Sequence, residues 1–104
     1  MTEIAMTIAQ TGPSTVAATI RNHSGIMIDR PEAKGGADAG PMGGEYLLAA
    51  LGGCFSSTFL AAARAREIEV TDLAIRVVGT LEGPPSRFTA ATSRAAGPPV
   101  SWAP

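Results

Sequence analysis

The sequence predicts an α+β fold, with an antiparallel sheet packed around a central hydrophobic helix. Three observations predict it. Apolar residues alternate with period two in three short segments, residues 3–9, Thr15–Arg21 and Ile26–Asp29. An apolar run, Glu45–Arg66, carries no charge between Tyr46 and Ala63. Alternation then resumes over Val70–Gly83. Period-two alternation marks strands with one buried face, whereas a run this long and apolar on most sides marks a buried helix. A single 104-residue chain is too short to cover such a helix on every side, so a dimer is expected.

In chain order, Ile4, Met6 and Ile8 share one face of a first strand, EIAMTIA. Thr11-Gly12-Pro13-Ser14 is a turn by composition. A second strand, Thr15–Arg21, points Val16, Ala18 and Ile20 inward and Thr15, Thr19 and Arg21 outward or to the rim. Asn22–Gly25 is the next turn, with Gly25 available for a positive φ, and Ile26 and Ile28 carry a third strand ending at Asp29. Connections this short make the three an antiparallel meander.

Residues 30–44, RPEAKGGADAGPMGG, form a long loop with five glycines and two prolines. It lacks both the P-loop spacing and a strand–GxGxxG–helix unit, so a phosphate-binding role is not indicated. The helix starts near Gly44-Glu45, where an acid suits the macrodipole, and Arg64 and Arg66 suit its other end. Gly52-Gly53 inside it points to a close approach of another backbone or a local bend. Leu73, Ile75, Val77 and Leu81 define one face of the strand in Val70–Gly83, with Gly79 a candidate bulge. The chain thus divides into an ordered part, 1–83, and a Pro/Ala-rich tail, 84–104. The tail holds five of the eight prolines and no lasting period, and is expected to be disordered.

Composition excludes several functions. Eight basic and nine acidic residues form no runs, which leaves no electrostatic footprint for nucleic acid or an anionic membrane. One cysteine cannot close an internal disulfide, and Met1-Thr2-Glu3 does not open a signal peptide, so a reducing cytoplasm is the expected compartment. Tyr46–Ala63 reaches the lower length limit of a membrane span, but Gly52, Gly53, Ser56, Ser57 and Thr58 make it only weakly hydrophobic, and no membrane is expected.

The chemistry turns on Cys54. A free cysteine in an apolar helix is commonly an inert core residue, and a mid-helix thiol gains nothing from the helix N-terminus. A reactive Cys54 needs a cation from elsewhere, such as Arg21, Arg30 or a partner chain.

Gly35-Gly36-Ala37-Asp38-Ala39-Gly40-Pro41, followed by Glu45-Tyr46-Leu47-Leu48-Ala49-Ala50-Leu51-Gly52-Gly53-Cys54, resembles the signature of the OsmC/Ohr family, a GG-x-D-x-GP loop and then E-L-L-L-A-A-L-G-x-C. Asp29-Arg30-Pro31, Thr58, Ala62 and the following strand fit the same pattern, and the resemblance covers about residues 15–83. It implies an intertwined homodimer and a thiol-dependent peroxidase acting on organic hydroperoxides in the oxidative stress response. In that scheme Cys54 is the peroxidatic nucleophile, assisted by an arginine (Arg21 or Arg30) and a glutamate, for which Glu45 is the candidate. Nine residues at about 100° put Glu45 opposite Cys54 on a straight helix, so capping is an equal reading for it. No cofactor or metal is expected.

Peroxidase members carry a second, resolving cysteine on a later helix, and this chain has neither. Turnover then requires an external thiol reductant. The C-terminal composition reads as a truncated or off-frame end. The competing expectation is a non-catalytic or truncated member, a remnant or small-ligand binder, in which Cys54 is only packed.

Overall fold

A computed structural model describes residues 2–83 and 87–96. The fold is α+β, with antiparallel sheets and one long helix. The chain divides into two compact units, Met1–Tyr46 and Leu47–Pro104.

In the first unit, β1 (Met6–Gln10), β2 (Val16–Ile20) and β3 (His23–Ile28) form an antiparallel sheet in the order β1-β2-β3. Register places Ile8 and Ile26 on either side of Ala18, and Met6 opposite Ile20. These β-branched and small residues line up on one face, and Ala18 at its centre is buried. Met6 and Ile8 remain open on the outer strand, and Ile4, expected in that strand, lies before it and is 81% exposed. The second turn differs from the expectation. Arg21 and Asn22 form it, Arg21 takes φ 54°, and β3 begins at His23. Gly25, with φ 70°, lies within β3 where the register gains one residue, so its positive φ serves a bulge rather than the turn.

Thr15 also departs from its expected outward position. It is 7% exposed and donates its hydroxyl to Asp29 Oδ2 at 2.7 Å, while Asp29 is itself 3% exposed. A hydrogen-bonded polar pair inverts the hydropathy rule at the end of the sheet. After β3, a short 3-10 turn, Glu32–Lys34, opens the glycine-rich loop. Gly36 and Gly40 there lie directly on the backbones of Arg30 and Met27, where a Cβ has no room.

The helix, α1 (Gly43–Ala65), runs unbroken through Gly52-Gly53. Its first turn is capped from within: Met42 donates its N–H to Glu45 Oε1 at 2.9 Å, the reach-back half of a capping box. At the other end Ile68 N–H bonds Ala63 C=O and Glu67 N–H bonds Arg64 C=O, with Glu67 at φ 55°: a Schellman motif whose left-handed position is not a glycine.

In the second unit, β4 (Ala74–Glu82) pairs antiparallel with β5 (Arg87–Ala96). Ile75, Val77 and Gly79 form the half-buried face of β4. A Cβ on Gly52 would lie 2.8 Å from Val77 Cγ2, whereas one on Gly53 meets nothing within 4 Å. The close approach foreseen at the glycine pair is therefore to a β4 side chain and belongs to Gly52 alone. Gly79 likewise makes room for Leu48 and Phe88, whose side-chain carbons would sit 2.8 Å from its Cβ. The bulge itself falls one step on, between Thr80 and Leu81, with the extra residue on β5.

β5 corrects the expectation of a disordered tail over 87–96; residues 84–86 and 97–104 of that tail lie outside the described residues. The helix was expected to be buried, yet Gly52 and Ala63 are its only buried residues. A two-stranded sheet covers one stripe of a helix, which leaves Leu47 (61%), Leu51, Phe55 and Leu60 exposed. By length and composition α1 also meets the requirement for a membrane span, a test that a core helix passes as well.

Candidate thiol site

Cys54 is a free, exposed thiol in the middle of α1. It faces an apolar cleft of about 350 Å³ lined by Leu47, Leu48, Ala50, Leu51, Cys54 and Phe88. The cleft exists because of local sequence choices. Gly79 lets Leu48 and Phe88 close over β4, and Ala50 keeps the helix surface low beside the leucines. The result is a thiol with apolar surface for an organic group beside it. Ser56 does not assist, because its hydroxyl is spent on Gly52 C=O at 2.7 Å. Phe55 and Phe59 stack, 6.4 Å between centroids, further along the helix.

Among the described residues the cleft lining contains no charged side chain, and a cation that favours the thiolate has to come from another element. Arg21 sits exposed in the β2–β3 turn. Arg30 is exposed too; its N–H donates to Asp29 Oδ1 at 2.7 Å and its carbonyl accepts from Asp38 N–H at 3.0 Å. Both belong to the Met1–Tyr46 unit. Glu45 and Cys54 are not brought together along α1: nine residues of unbroken helix separate them by about 13 Å and about half a turn. The Glu45 carboxylate is engaged at Met42, which is the capping reading of that residue.

A second ordered polar cluster, which sequence reading missed, centres on Asp29. Its carboxylate accepts from the Thr15 hydroxyl, from Arg30 N–H and, at 3.2 Å, from Ala39 N–H. The Thr15 hydrogen bond is the main reason its pKa lies well below the usual carboxylate range. Burial opposes ionisation, and the hydrogen bonds from Ser14, Arg30 and Ala39 add to that from Thr15 in favouring it. The available signal was an acid at the end of an apolar strand, directly before Arg-Pro. Phe88 was missed as well, having been assigned to the tail.

The loop N–H groups of Gly35, Gly36 and Asp38 bond to Glu32, Pro31 and Arg30 carbonyls. They are therefore not free to cradle an anion. Among the described residues no three His, Cys, Asp or Glu side chains gather to hold a metal ion.

A comparison with curated proteins found no match. The family model for OsmC-like protein matches residues 35–97, from the glycine-rich loop through α1 and β4 to the end of β5. The family pattern therefore continues past Gly83, where the resemblance in the sequence was read to stop. Because the match spans more than half of the 104 residues, the chain belongs to the OsmC-like protein family.

Proposed function

We propose that this chain is a thiol-dependent peroxidase for organic hydroperoxides, working in the cytoplasm with Cys54 as the nucleophile. The observation that carries the reading is an exposed thiol opening onto an apolar cleft, in a chain of this family. The Cys54 thiolate attacks the terminal oxygen of R–O–OH. An S–O bond forms, the O–O bond breaks, and the leaving alkoxide takes a proton to become the alcohol. Sulfur has then lost two electrons and stands as a sulfenic acid. An external thiol condenses with it, releasing water and leaving a mixed disulfide. A second thiol frees Cys54 and departs as the external disulfide. No internal thiol can take the first step, since Cys54 is the only cysteine.

The apolar lining supplies burial for the organic group R, and a cation is still required to hold the thiolate. Arg21 or Arg30 fills that role in this proposal. Glu45 acts through the start of α1, by capping it. The open apolar face of α1 supports a homodimer as the working form.

The test treats purified protein with cumene hydroperoxide and follows Cys54 by mass spectrometry. Sulfenic acid within seconds to minutes, absent in Cys54→Ser, and turnover on adding a dithiol are expected. No oxidation over hours makes Cys54 a packing residue and the protein a non-catalytic member. Sedimentation of the same sample is expected to give a dimer; a monomer at micromolar concentration removes the partner from the proposal.

A further inference from the structure

No residue of the segment Arg30–Met42 is buried, so packing does not hold it in place. Polar ties do. Asp29 N–H donates to Pro41 C=O at 3.1 Å, Asp38 N–H to Arg30 C=O at 3.0 Å, Gly36 N–H to Pro31 C=O at 3.1 Å, and Ala39 N–H to the Asp29 carboxylate. Beyond the segment, the Tyr46 hydroxyl reaches Met27 C=O at 2.8 Å. We propose that Arg30–Met42 is a strap that unfolds and refolds as one cooperative unit at the end of the β1–β3 sheet, with the Asp29 carboxylate as its latch.

The closed position is well defined. Gly40 lies on the Met27 backbone and Gly36 folds the strap onto its own first residue, Arg30, each where a Cβ has no room. Opening, in contrast, exposes no apolar core, and the freed N–H and C=O groups pass directly to water. Among the ties the latch is the one with a buried charged acceptor, and it joins three separate places: the β1–β2 turn, the end of β3 and the middle of the strap. Neutralising it leaves the buried Thr15 hydroxyl and the Ala39 N–H with a poorer acceptor. The carboxylate faces the hydroxyls of Thr15 and Ser14 and the N–H groups of Arg30 and Ala39. The strap's own charges, on Arg30, Glu32, Lys34 and Asp38, are exposed.

The closed strap also meets the start of α1, where it delivers Met42 as the residue that Glu45 caps. The Tyr46–Met27 bond holds the first turn of α1 on β3 directly, and the strap adds the Met42 tie beside it. None of this depends on the chemistry of Cys54.

The test is hydrogen exchange on the full chain at pH 7. In the wild type the N–H groups of Gly36, Asp38 and Ala39 are expected to share one protection factor, each rate taken relative to its intrinsic value. Asp29→Asn speeds all three together by about tenfold or more, while the β1–β2 pairs keep their protection. Trypsin gives a second readout at Lys34, since Arg30 precedes a proline; the variant is cut there about tenfold faster. Thr15→Ala removes one bond but keeps the charge, and is expected to speed the same three amides several-fold even where Asp29→Asn does not fold. Unchanged exchange in Thr15→Ala, three unrelated protection factors in the wild type, or loss of β1–β2 protection along with the strap overturns the proposal.

Discussion

Adding a methyl group at each of two adjacent helical glycines should have opposite effects. Alanine is favoured over glycine in a helix by about 1 kcal/mol, because glycine loses more backbone freedom on folding. At Gly53 that gain is unopposed, since a Cβ there meets nothing within 4 Å, and Gly53→Ala is expected to stabilise by about 0.5–1 kcal/mol. At Gly52 the new Cβ would stand 2.8 Å from Val77 Cγ2. Val77 is β-branched and sits in a strand, so its χ1 cannot swing the methyl aside without strain. Overpacking of this kind costs about 1–3 kcal/mol, so Gly52→Ala should come out between neutral and about 2 kcal/mol destabilising. The assay is urea unfolding of the full chain at one fixed protein concentration, read as a shift in midpoint at constant slope. Val77→Ala then supplies the control. With the γ-carbons gone, Gly52→Ala should recover the helical gain and become stabilising, a coupling of about 1–3 kcal/mol between the two sites. Equal stabilisation by Gly52→Ala and Gly53→Ala in the wild-type background would refute the packing of α1 on β4.

Glu67 holds a left-handed φ of 55° at the end of α1, so Glu67→Gly is expected to raise stability by about 0.5–1 kcal/mol in the same urea assay. Acid should act through Asp29. Its folded-state pKa lies below its ordinary 3.8, so its contribution is complete above that value and is lost as pH falls from about 4 toward 2. Acid unfolding followed by circular dichroism should therefore be shallower over that window in Asp29→Asn than in the wild type.

How legible each part was depends on which interaction formed it. β2, α1 and β4 were readable because apolar periodicity shaped them, and Ala18, Ile75 and Val77 face where their spacing puts them. β5 was not readable. Arg87–Ala96 offers Phe88 as its single large apolar residue, and the strand forms through backbone pairing to β4 from Ala74↔Ala96 to Glu82↔Arg87. Pairing of that kind leaves no hydropathy pattern in the strand it recruits. The Thr15–Asp29 pair was invisible for a related reason: two polar residues, fourteen positions apart, become buried only because each satisfies the other. Gly25 takes the positive φ that a glycine allows, but composition alone does not separate a turn from a bulge at the third residue of β3. For Cys54 the apolar helix was legible. Its exposure was not, because exposure depends on what covers the helix.

That dependence links the unfinished packing of α1 to the chemistry proposed for it. Leu47, Leu51 and Cys54 fall on one stripe of the helix at spacings of four and three, beside Phe55. The leucines and Phe55 favour burial, while a nucleophilic thiol must stay within reach of its substrate. A surface that covered the whole stripe would satisfy the first demand and defeat the second. The cleft reconciles them. Leu48 and Phe88 bank its sides above Gly79, and its apolar lining can be filled by the organic part of a substrate while the oxygen end approaches sulfur. In the proposed homodimer, a partner copy would cover Leu47, Leu51 and Phe55 only in part, stopping short of the cleft mouth. In the proposed peroxidase the same exposed apolar surface therefore serves two occupants, a second chain along the stripe and a hydroperoxide at Cys54.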